Sequence, residues 1–342
     1  MDSLKARLKR LLLWSQKYTR TDMVYLARGG FWVTLNSVIA ALVSLALAVA
    51  FANLLPKETY GTYRFVLSIA GAFGFLALTG MNAAVTRSVA RGHDGALPYA
   101  VRAQLRWNLL YTAVMAAGGA YYLARHGAVT LGVSLLVLGV LLPPSWAFAT
   151  FSAFIAGKKD FKRGTQYSVL GTLLYFATML AAILFGRTAL WLVVAYGVGM
   201  CAVYALLYAL TLRRYRPEAI DAAERVEMER YGKHLSLVNV LSMVAQQVDN
   251  IVVFKLIGPA ELAVYAFANL MPERLKQFAK SGMGVIVPRL AEKDLKDVVK
   301  SLRLRCLQSL AVGTLLALLY IAVVPFVFRY LFPQYGTSVP YS

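Results

Sequence analysis

The sequence predicts an all-α, polytopic membrane protein made of two pseudo-symmetric helix bundles, with about nine transmembrane helices present. Three observations carry that expectation. Of the 342 residues, 59% are hydrophobic and only 15% are charged, whereas a soluble domain averages about 45–50% and about 25%, so one water-shielded core cannot hide these side chains. The apolar residues are gathered into runs close to the roughly 20 needed to cross a hydrocarbon core about 30 Å thick. Finally, the sequence resembles itself at a single fixed offset.

In sequence order, the first 28 residues carry Lys5, Arg7, Lys9, Arg10, Lys17, Arg20 and Arg28 and no long apolar stretch. A cleavable signal peptide is therefore not expected; the segment reads as a basic amphipathic arm on the membrane surface, with a disordered tail as the alternative. Nine apolar runs follow, with limits near Gly29 to Leu55, Phe65 to Thr86, Gln104 to Ala124, Ala128 to Gly157, Gln166 to Gly186, Thr188 to Leu212, Ser236 to Gly258, Glu261 to Pro288, and Leu304 to Phe332. The Pro143-Pro144 pair and the interior glycines suit membrane helices, where neighbouring helices satisfy the freed backbone groups. The small-residue run AGAFGF, Ala70 to Phe75, is expected only to let helices pack closely.

Charge sets the orientation. There are 36 Lys+Arg against 16 Asp+Glu, a net charge of +20. In a soluble protein that excess would suggest a nucleic-acid partner; here it lies between apolar runs, so no nucleic acid is expected. The N-terminal arm, the even-numbered loops and the run edges beside them hold 27 cations, and the opposite side holds five: Lys57, Arg64, Arg125, Arg187 and Arg329. This bias predicts a cytoplasmic N-terminus in a multi-pass protein of the cell (inner) membrane. The remaining four cations, Lys255, Arg274, Lys276 and Lys280, fall inside runs.

The internal repeat has an offset of 202 residues, pairing Leu54 with Leu256, Tyr63 with Tyr265, Phe65 with Phe267, Ala77 with Ala279, Gly80 with Gly282, Met81 with Met283, Val85 with Val287 and Arg87 with Arg289. It carries the first run onto the seventh and the second onto the eighth, so each copy holds six runs of like orientation. Parallel repeats imply two bundles about an axis along the membrane normal, with a substrate site between them. The expected organisation is an arm over 1–28, a first lobe over 29–212, a cytoplasmic linker with an amphipathic helix over 213–235, and a second lobe over 236–342. Because the sequence stops soon after the ninth run, the second lobe is expected to be incomplete, the protein being truncated at its C-terminal end, with a reduced second lobe as the alternative.

An ionisable group at the bilayer centre costs at least about 2.5–3.5 kcal/mol on insertion scales, so polar residues in the runs are candidate site residues. In the seventh run Asn239, Ser242, Gln246, Asp249 and Asn250 follow helical spacing. Asp249, Asn250 and Gln246 are the ion-coupling candidates, for Na⁺ or H⁺; the alternative is a structural Asp249 carboxylate held by Lys255 or neighbouring amides. In the eighth run Asn269, Glu273, Arg274, Lys276, Gln277 and Lys280 form a stripe with three cations and one acid. It reads as a substrate site for an anionic head group, the alternative being an intrahelical pairing of Glu273 with Lys276 or Gln277 within a packing stripe.

Several segments carry a family resemblance. YLARGGFW, FANLLPKETYGTYRFVLSIAG and LTGMNAAVTRSVARG resemble the first two helices of polysaccharide exporters of the oligosaccharide flippase type, in the multidrug/oligosaccharidyl-lipid/polysaccharide flippase superfamily. VDNIVVFKLIGPAELAVYAFANLM resembles the seventh and eighth helices of the same family. The resemblance implies two lobes totalling twelve to fourteen helices. It also implies movement of lipid-diphosphate-linked oligosaccharide from the cytoplasmic to the outer leaflet, driven by an ion gradient, for cell-surface polysaccharide synthesis. The shorter length of this sequence is the departure from that pattern. Expected partners are the lipid-linked oligosaccharide and membrane lipid, with the protein monomeric.

Rival functions are less well served by the residues. A multidrug or cation antiporter of the same fold would favour an acidic or aromatic cavity over a cationic stripe. A membrane enzyme of polysaccharide assembly would be expected to present a substantial outward loop with catalytic groups, and the outward loops here are short; no enzyme activity is expected. No GxxxxGK[ST] occurs, which removes an ATP-driven pump. Cys201 and Cys306 lack the clustered His or Cys of a zinc site, and no cofactor is expected beyond the coupling ion.

Overall fold

The computed structural model describes residues 23–126, 128–270, 272–273 and 320–341, with positions 310, 313–314 and 317–318. The described residues are helical and contain no strand. In order they form α1 (Met23–Leu54), α2 (Lys57–Ala72), α3 (Met81–Ala90), α4 (Ala96–His126), α5 (Val129–Ala149), α6 (Phe151–Gly157), α7 (Phe161–Phe185), α8 (Ala189–Tyr215), α9 (Ala222–Leu256) and α10 (Pro259–Ala268). Tyr320–Leu331 forms α11. Short 3₁₀ segments lie at Phe73–Leu76 and Pro333–Tyr341. Most of the expected surface arm and of the eighth run, and part of the ninth run, lie outside the described residues.

Among the described residues five helices are long and apolar enough to cross a bilayer, and six if the bent pair Lys57–Leu76 and Met81–Ala90 is one span. Their outer faces carry Leu42, Leu241 and Phe185 at 62%, 80% and 85% exposure. Water penalises such surface by about 25 cal/mol per Å², whereas hydrocarbon does not. The protein is a multi-pass membrane protein. The third run lies within α4, 31 residues long, but Arg102, Gln104, Arg106 and Asn108 near its start keep it out of the apolar set.

Two compact units are formed, one from residues up to Ala48 and Val66–Val248, the other from Val49–Phe65 and Asp249 onward. In the first, α4 lies along α5, α5 along α8, α8 along α7, and α3 against α6. Met81, Val85, Leu97, Phe151 and Phe154 lie in its core. Close approach of α4 and α5 depends on facing glycines: a Cβ on either Gly119 or Gly132 would stand 2.9 Å from the other's carbonyl oxygen, so only hydrogen fits there.

Pro143 and Pro144 lie inside α5. Pro143 has no N–H, so the Gly139 carbonyl one turn earlier loses its helical donor. The Thr112 hydroxyl on α4 donates to that oxygen at 2.8 Å, and the Asn108 amide donates to the Pro143 carbonyl at 2.9 Å. Neighbour-helix compensation, expected from the sequence, is supplied at Gly139 by Thr112, and Asn108 one turn away adds a second bond from α4 to the same stretch.

The second run is not one straight helix. After α2 the backbone tightens to 3₁₀ at Phe73–Leu76, and α3 leaves at 55° to the preceding segment. AGAFGF therefore does more than allow packing, since the helix changes form within it. Beyond the break, the Gly80 N–H donates to the Ser236 hydroxyl at 2.9 Å. α9 runs unbroken for 35 residues from Ala222, so the position expected to separate linker from second lobe, 235/236, lies inside a continuous helix.

In the second unit, the repeat is visible as matching helix boundaries. α1 ends at Leu54 and α2 begins at Lys57; α9 ends at Leu256 and α10 begins at Pro259, the same two boundaries displaced by the 202-residue offset. These corners pack on each other. The Pro259 carbonyl lies where a Gly61 Cβ would stand, Phe65 stacks on Phe254 with centroids 3.7 Å apart, and Tyr60 meets Phe267 at 5.1 Å. The Asn53 amide donates to the Leu331 carbonyl at 3.0 Å, and Ser338 to that of Val264 at 3.0 Å. α10 is interrupted after Ala268 by a turn at Asn269, since Pro272 has no N–H for the Ala268 carbonyl, and helical bonding resumes at once, the Glu273 N–H donating to the Asn269 carbonyl at 3.1 Å.

Candidate functional site

The first unit contains a cavity of about 660 Å³ bounded by α1, α6, α7 and α8. Local sequence builds its walls. The turn after α6 places Lys159 at φ 57°, and Asp160 then caps α7, its carboxylate accepting the Arg163 N–H at 3.1 Å. Thr188 caps α8 in the same way, accepting from the Trp191 N–H at 3.3 Å. From those starts the helical period brings Tyr167, Ser168, Thr172 and Tyr175 of α7 to the cavity opposite Tyr196 and Tyr204 of α8. The Tyr175 and Tyr196 rings meet edge to face with centroids 6.1 Å apart, and Tyr204 lies 6.3 Å from Phe151.

The wall is close to neutral. Among its described lining residues Asp160 is the only ionisable acid or base apart from the tyrosines. Its carboxylate meets the Arg163 guanidinium at 3.1 Å and accepts the Tyr215 hydroxyl at 2.9 Å. Tyr215 follows Arg213 and Arg214, past the apolar part of α8. Burial, and then that hydrogen bond, pushes it up to about 12, so it remains a neutral donor at physiological pH. Such a lining offers aromatic faces and hydroxyls to a neutral polar ligand and no unpaired charge to an ionic one.

The residues singled out by the sequence lie elsewhere. On α9, Asn239, Ser242, Gln246 and Asp249 are exposed along one face, while Asn250 is buried at 9% exposure. The Gln246 amide donates to the Ser242 carbonyl at 3.0 Å. Asp249 accepts the Tyr265 hydroxyl of α10 at 3.3 Å, a partner outside the expected Lys255 and local amides. Asn269 is half-buried in the turn after α10, its N–H donating to the Tyr265 carbonyl at 3.0 Å. Glu273 is exposed. Arg274, Lys276, Gln277 and Lys280 lie outside the described residues, and so do the repeat partners from Ala279 to Arg289. No three His, Cys, Asp or Glu side chains among the described residues come together as metal ligands would.

The tyrosine cavity escapes a reading of the sequence because each of its residues is ordinary alone. A signal exists: Tyr167 and Tyr175 on α7, and Tyr196 and Tyr204 on α8, are each eight residues apart, close to two helical turns. Such a stripe is equally compatible with a packed core, and the meeting of the two stripes is tertiary.

Comparison with known proteins bears on the whole length. No curated protein sequence matches significantly. Two solved structures share the fold. One is an inward-facing conformation of a multidrug resistance MATE family transporter of the MOP superfamily, with TM-score 0.62 and 18% identity over 89% of this protein and 72% of that one. The other is an outward-facing conformation of a transporter described in the same terms, with TM-score 0.60 and 18% identity over 92% and 76%. The sequence model of the family described as "Polysaccharide biosynthesis protein" matches residues 26–293, a stretch that takes in nearly all of α1 to α10, the tyrosine cavity and both repeat-related corners. With a transporter fold around it and that match along most of its length, the protein belongs to the polysaccharide biosynthesis protein family.

Proposed function

We propose that the protein flips a lipid-diphosphate-linked oligosaccharide from the cytoplasmic to the outer leaflet of the cell membrane, driven by a Na⁺ or H⁺ gradient. The observation that carries this reading is the neutral cavity lined by tyrosines and hydroxyls, about 660 Å³ in volume. A sugar ring has apolar C–H faces and a rim of hydroxyls, so it gains from aromatic faces and neutral hydrogen-bond partners together. A cationic drug would instead need an unpaired acid, and Asp160 is already paired with Arg163. Family membership supports the substrate class, and the transporter fold favours movement over catalysis.

In this reading Arg274, Lys276 and Lys280, aided by Asn269, Glu273 and Gln277, receive the diphosphate. A phosphate that has lost water gains most from fixed cations. Asp249, with Asn250 and Gln246, couples the ion; its bond from Tyr265 would hold the carboxylate in place in either protonation state. The N-terminus is cytoplasmic, on the charge bias, and the protein acts as a monomer.

The test is translocation of a fluorescent lipid-diphosphate oligosaccharide by the protein in vesicles, read by quenching in one leaflet. Tyr175→Ala with Tyr196→Ala should slow translocation about tenfold, equivalent to about 1.4 kcal/mol of lost contact. Combined Arg274→Gln, Lys276→Gln and Lys280→Gln should slow it further, and Lys57→Gln should not. Asp249→Asn should abolish ion dependence. Ethidium counter-transport without lipid movement would replace this reading with a multidrug antiporter, and wild-type flipping by the triple variant would remove the three cations from the site.

A further inference from the structure

A second cleft in the first unit, about 550 Å³, is lined by Tyr99, Arg102, Arg106 and Trp107 of α4 and by Glu218 and Arg225, which flank the start of α9. We infer that this cleft binds the phosphate of an anionic lipid head group at the membrane surface. The binding does not depend on the proposed flipping activity.

Three features of the geometry lead there. The cations are available. Arg102 and Arg106 are exposed one turn apart on α4, and neither makes a hydrogen bond or ion pair among the described residues. Arg225 is held from behind. Its Nε donates to the Ile220 carbonyl at 3.0 Å, and its guanidinium lies 5.5 Å over the Tyr99 ring, which leaves the two terminal nitrogens for a ligand. Three guanidiniums lining one cleft match the several oxygens of a phosphate ester better than ammonium groups would.

The nearest acid is already engaged. Glu229 accepts the Tyr99 hydroxyl at 2.5 Å and the Lys233 ammonium at 2.9 Å. Glu218 is then the remaining acid among the lining residues, against three arginines. The site is rigid as well, since Tyr99 and Glu229 tie the beginning of α4 to α9.

The third feature selects a lipid over a soluble anion. Arg102 and Arg106 continue, at helical spacing, into Leu109 and Leu110, which are 68% and 51% exposed. Trp107, 43% exposed, has the amphipathic ring found at the head-group level of membranes, and Lys233 lies 5.2 Å over it. A lipid whose phosphate sits between the arginines can lay its chains along Leu109 and Leu110. Inorganic phosphate would use the cations alone.

The experiment uses the purified protein in neutral detergent and measures binding of phosphatidylglycerol, phosphatidylcholine and inorganic phosphate by native mass spectrometry and hydrogen exchange. Phosphatidylglycerol is expected to bind at least about fivefold more tightly than phosphatidylcholine and to protect amides in 96–107 and 217–229. Arg102→Gln with Arg106→Gln should weaken it about tenfold, while Arg187→Gln, on an exposed loop away from the cleft, leaves it unchanged. The wild-type exchange pattern keeps the proposal testable should the double variant fold poorly. Equal binding of the two lipids, undiminished binding by a folded double variant, or protection elsewhere would overturn it. Equal protection of the cleft by millimolar inorganic phosphate would overturn the lipid assignment in favour of a soluble anion.

Discussion

The α4–α5 contact makes one quantitative prediction that isolates a single hydrogen bond. Pro143 deprives the Gly139 carbonyl of its helical donor, and the Thr112 hydroxyl replaces it at 2.8 Å. That hydroxyl has one hydrogen, and its other acceptor, the Asn108 carbonyl, lies farther away at 3.2 Å. Thr112→Val keeps the shape of the side chain and removes the donor. An unpaired buried carbonyl costs about 1–3 kcal/mol in general, while measured interhelical hydrogen bonds in a membrane protein average about 0.6 and reach about 1.7 kcal/mol. A loss of about 1–1.5 kcal/mol is therefore expected. In a Pro143→Ala background the restored N–H returns to Gly139, so the same Thr112→Val change should cost less than about 0.5 kcal/mol, a coupling near 1 kcal/mol. Unfolding in mixed detergent micelles, followed by tryptophan fluorescence, measures all four members of the cycle. Equal cost of Thr112→Val in both backgrounds would refute the assignment of the hydroxyl to the proline-freed carbonyl.

Two adjacent glycines should behave oppositely in a thermal-stability assay. Gly119→Ala brings its Cβ to 2.8 Å from Leu136 and 2.9 Å from the Gly132 carbonyl and should cost about 1–3 kcal/mol, whereas Gly118→Ala, with its nearest neighbour at 3.8 Å, should be neutral or stabilising. In the polar first turns of α9, before its apolar run, the Tyr99 hydrogen bond and then Lys233 hold the Glu229 carboxyl below the usual carboxylate range. The folded state thus resists protonation more than the unfolded one, and this stabilisation is present above the ordinary glutamate value of about 4.3 and fades as pH falls through the lowered folded value. The wild-type melting temperature should accordingly drop more steeply on acidification than that of Glu229→Gln; parallel curves would exclude the linkage. Single cysteines at Lys57 and Glu261 should react with an impermeant reagent on intact cells and those at Arg91 and Lys159 only after permeabilisation, and labelling of Lys159 from outside would overturn the charge-based orientation.

The membrane class, the helical content, the end of the first run near Leu55 and the 202-residue offset were legible in the sequence because they depend on quantities that add up locally, whereas the second helix begins at Lys57 and not at the expected Phe65. Transfer free energies sum along a run of side chains, so composition and run length predict helices that need hydrocarbon. Leu54 and Lys57, and their counterparts Leu256 and Pro259, lie at polar or glycine-proline interruptions that end a helix wherever it packs. What those interruptions do in three dimensions was decided by tertiary contacts. AGAFGF reads equally as a packing surface or a break, and the tight fit of Gly71 and Gly74 against Gln247 and Met243 accompanies the break. Asp249 has polar neighbours on its own helix, yet its bond comes from Tyr265 on the next one. The tyrosine cavity and the arginine cleft each require side chains from separate helices to converge. Periodicity tells which residues share a face of one helix, but whether that face closes into a core, a cavity or a lipid-facing cleft depends on which other face is brought against it.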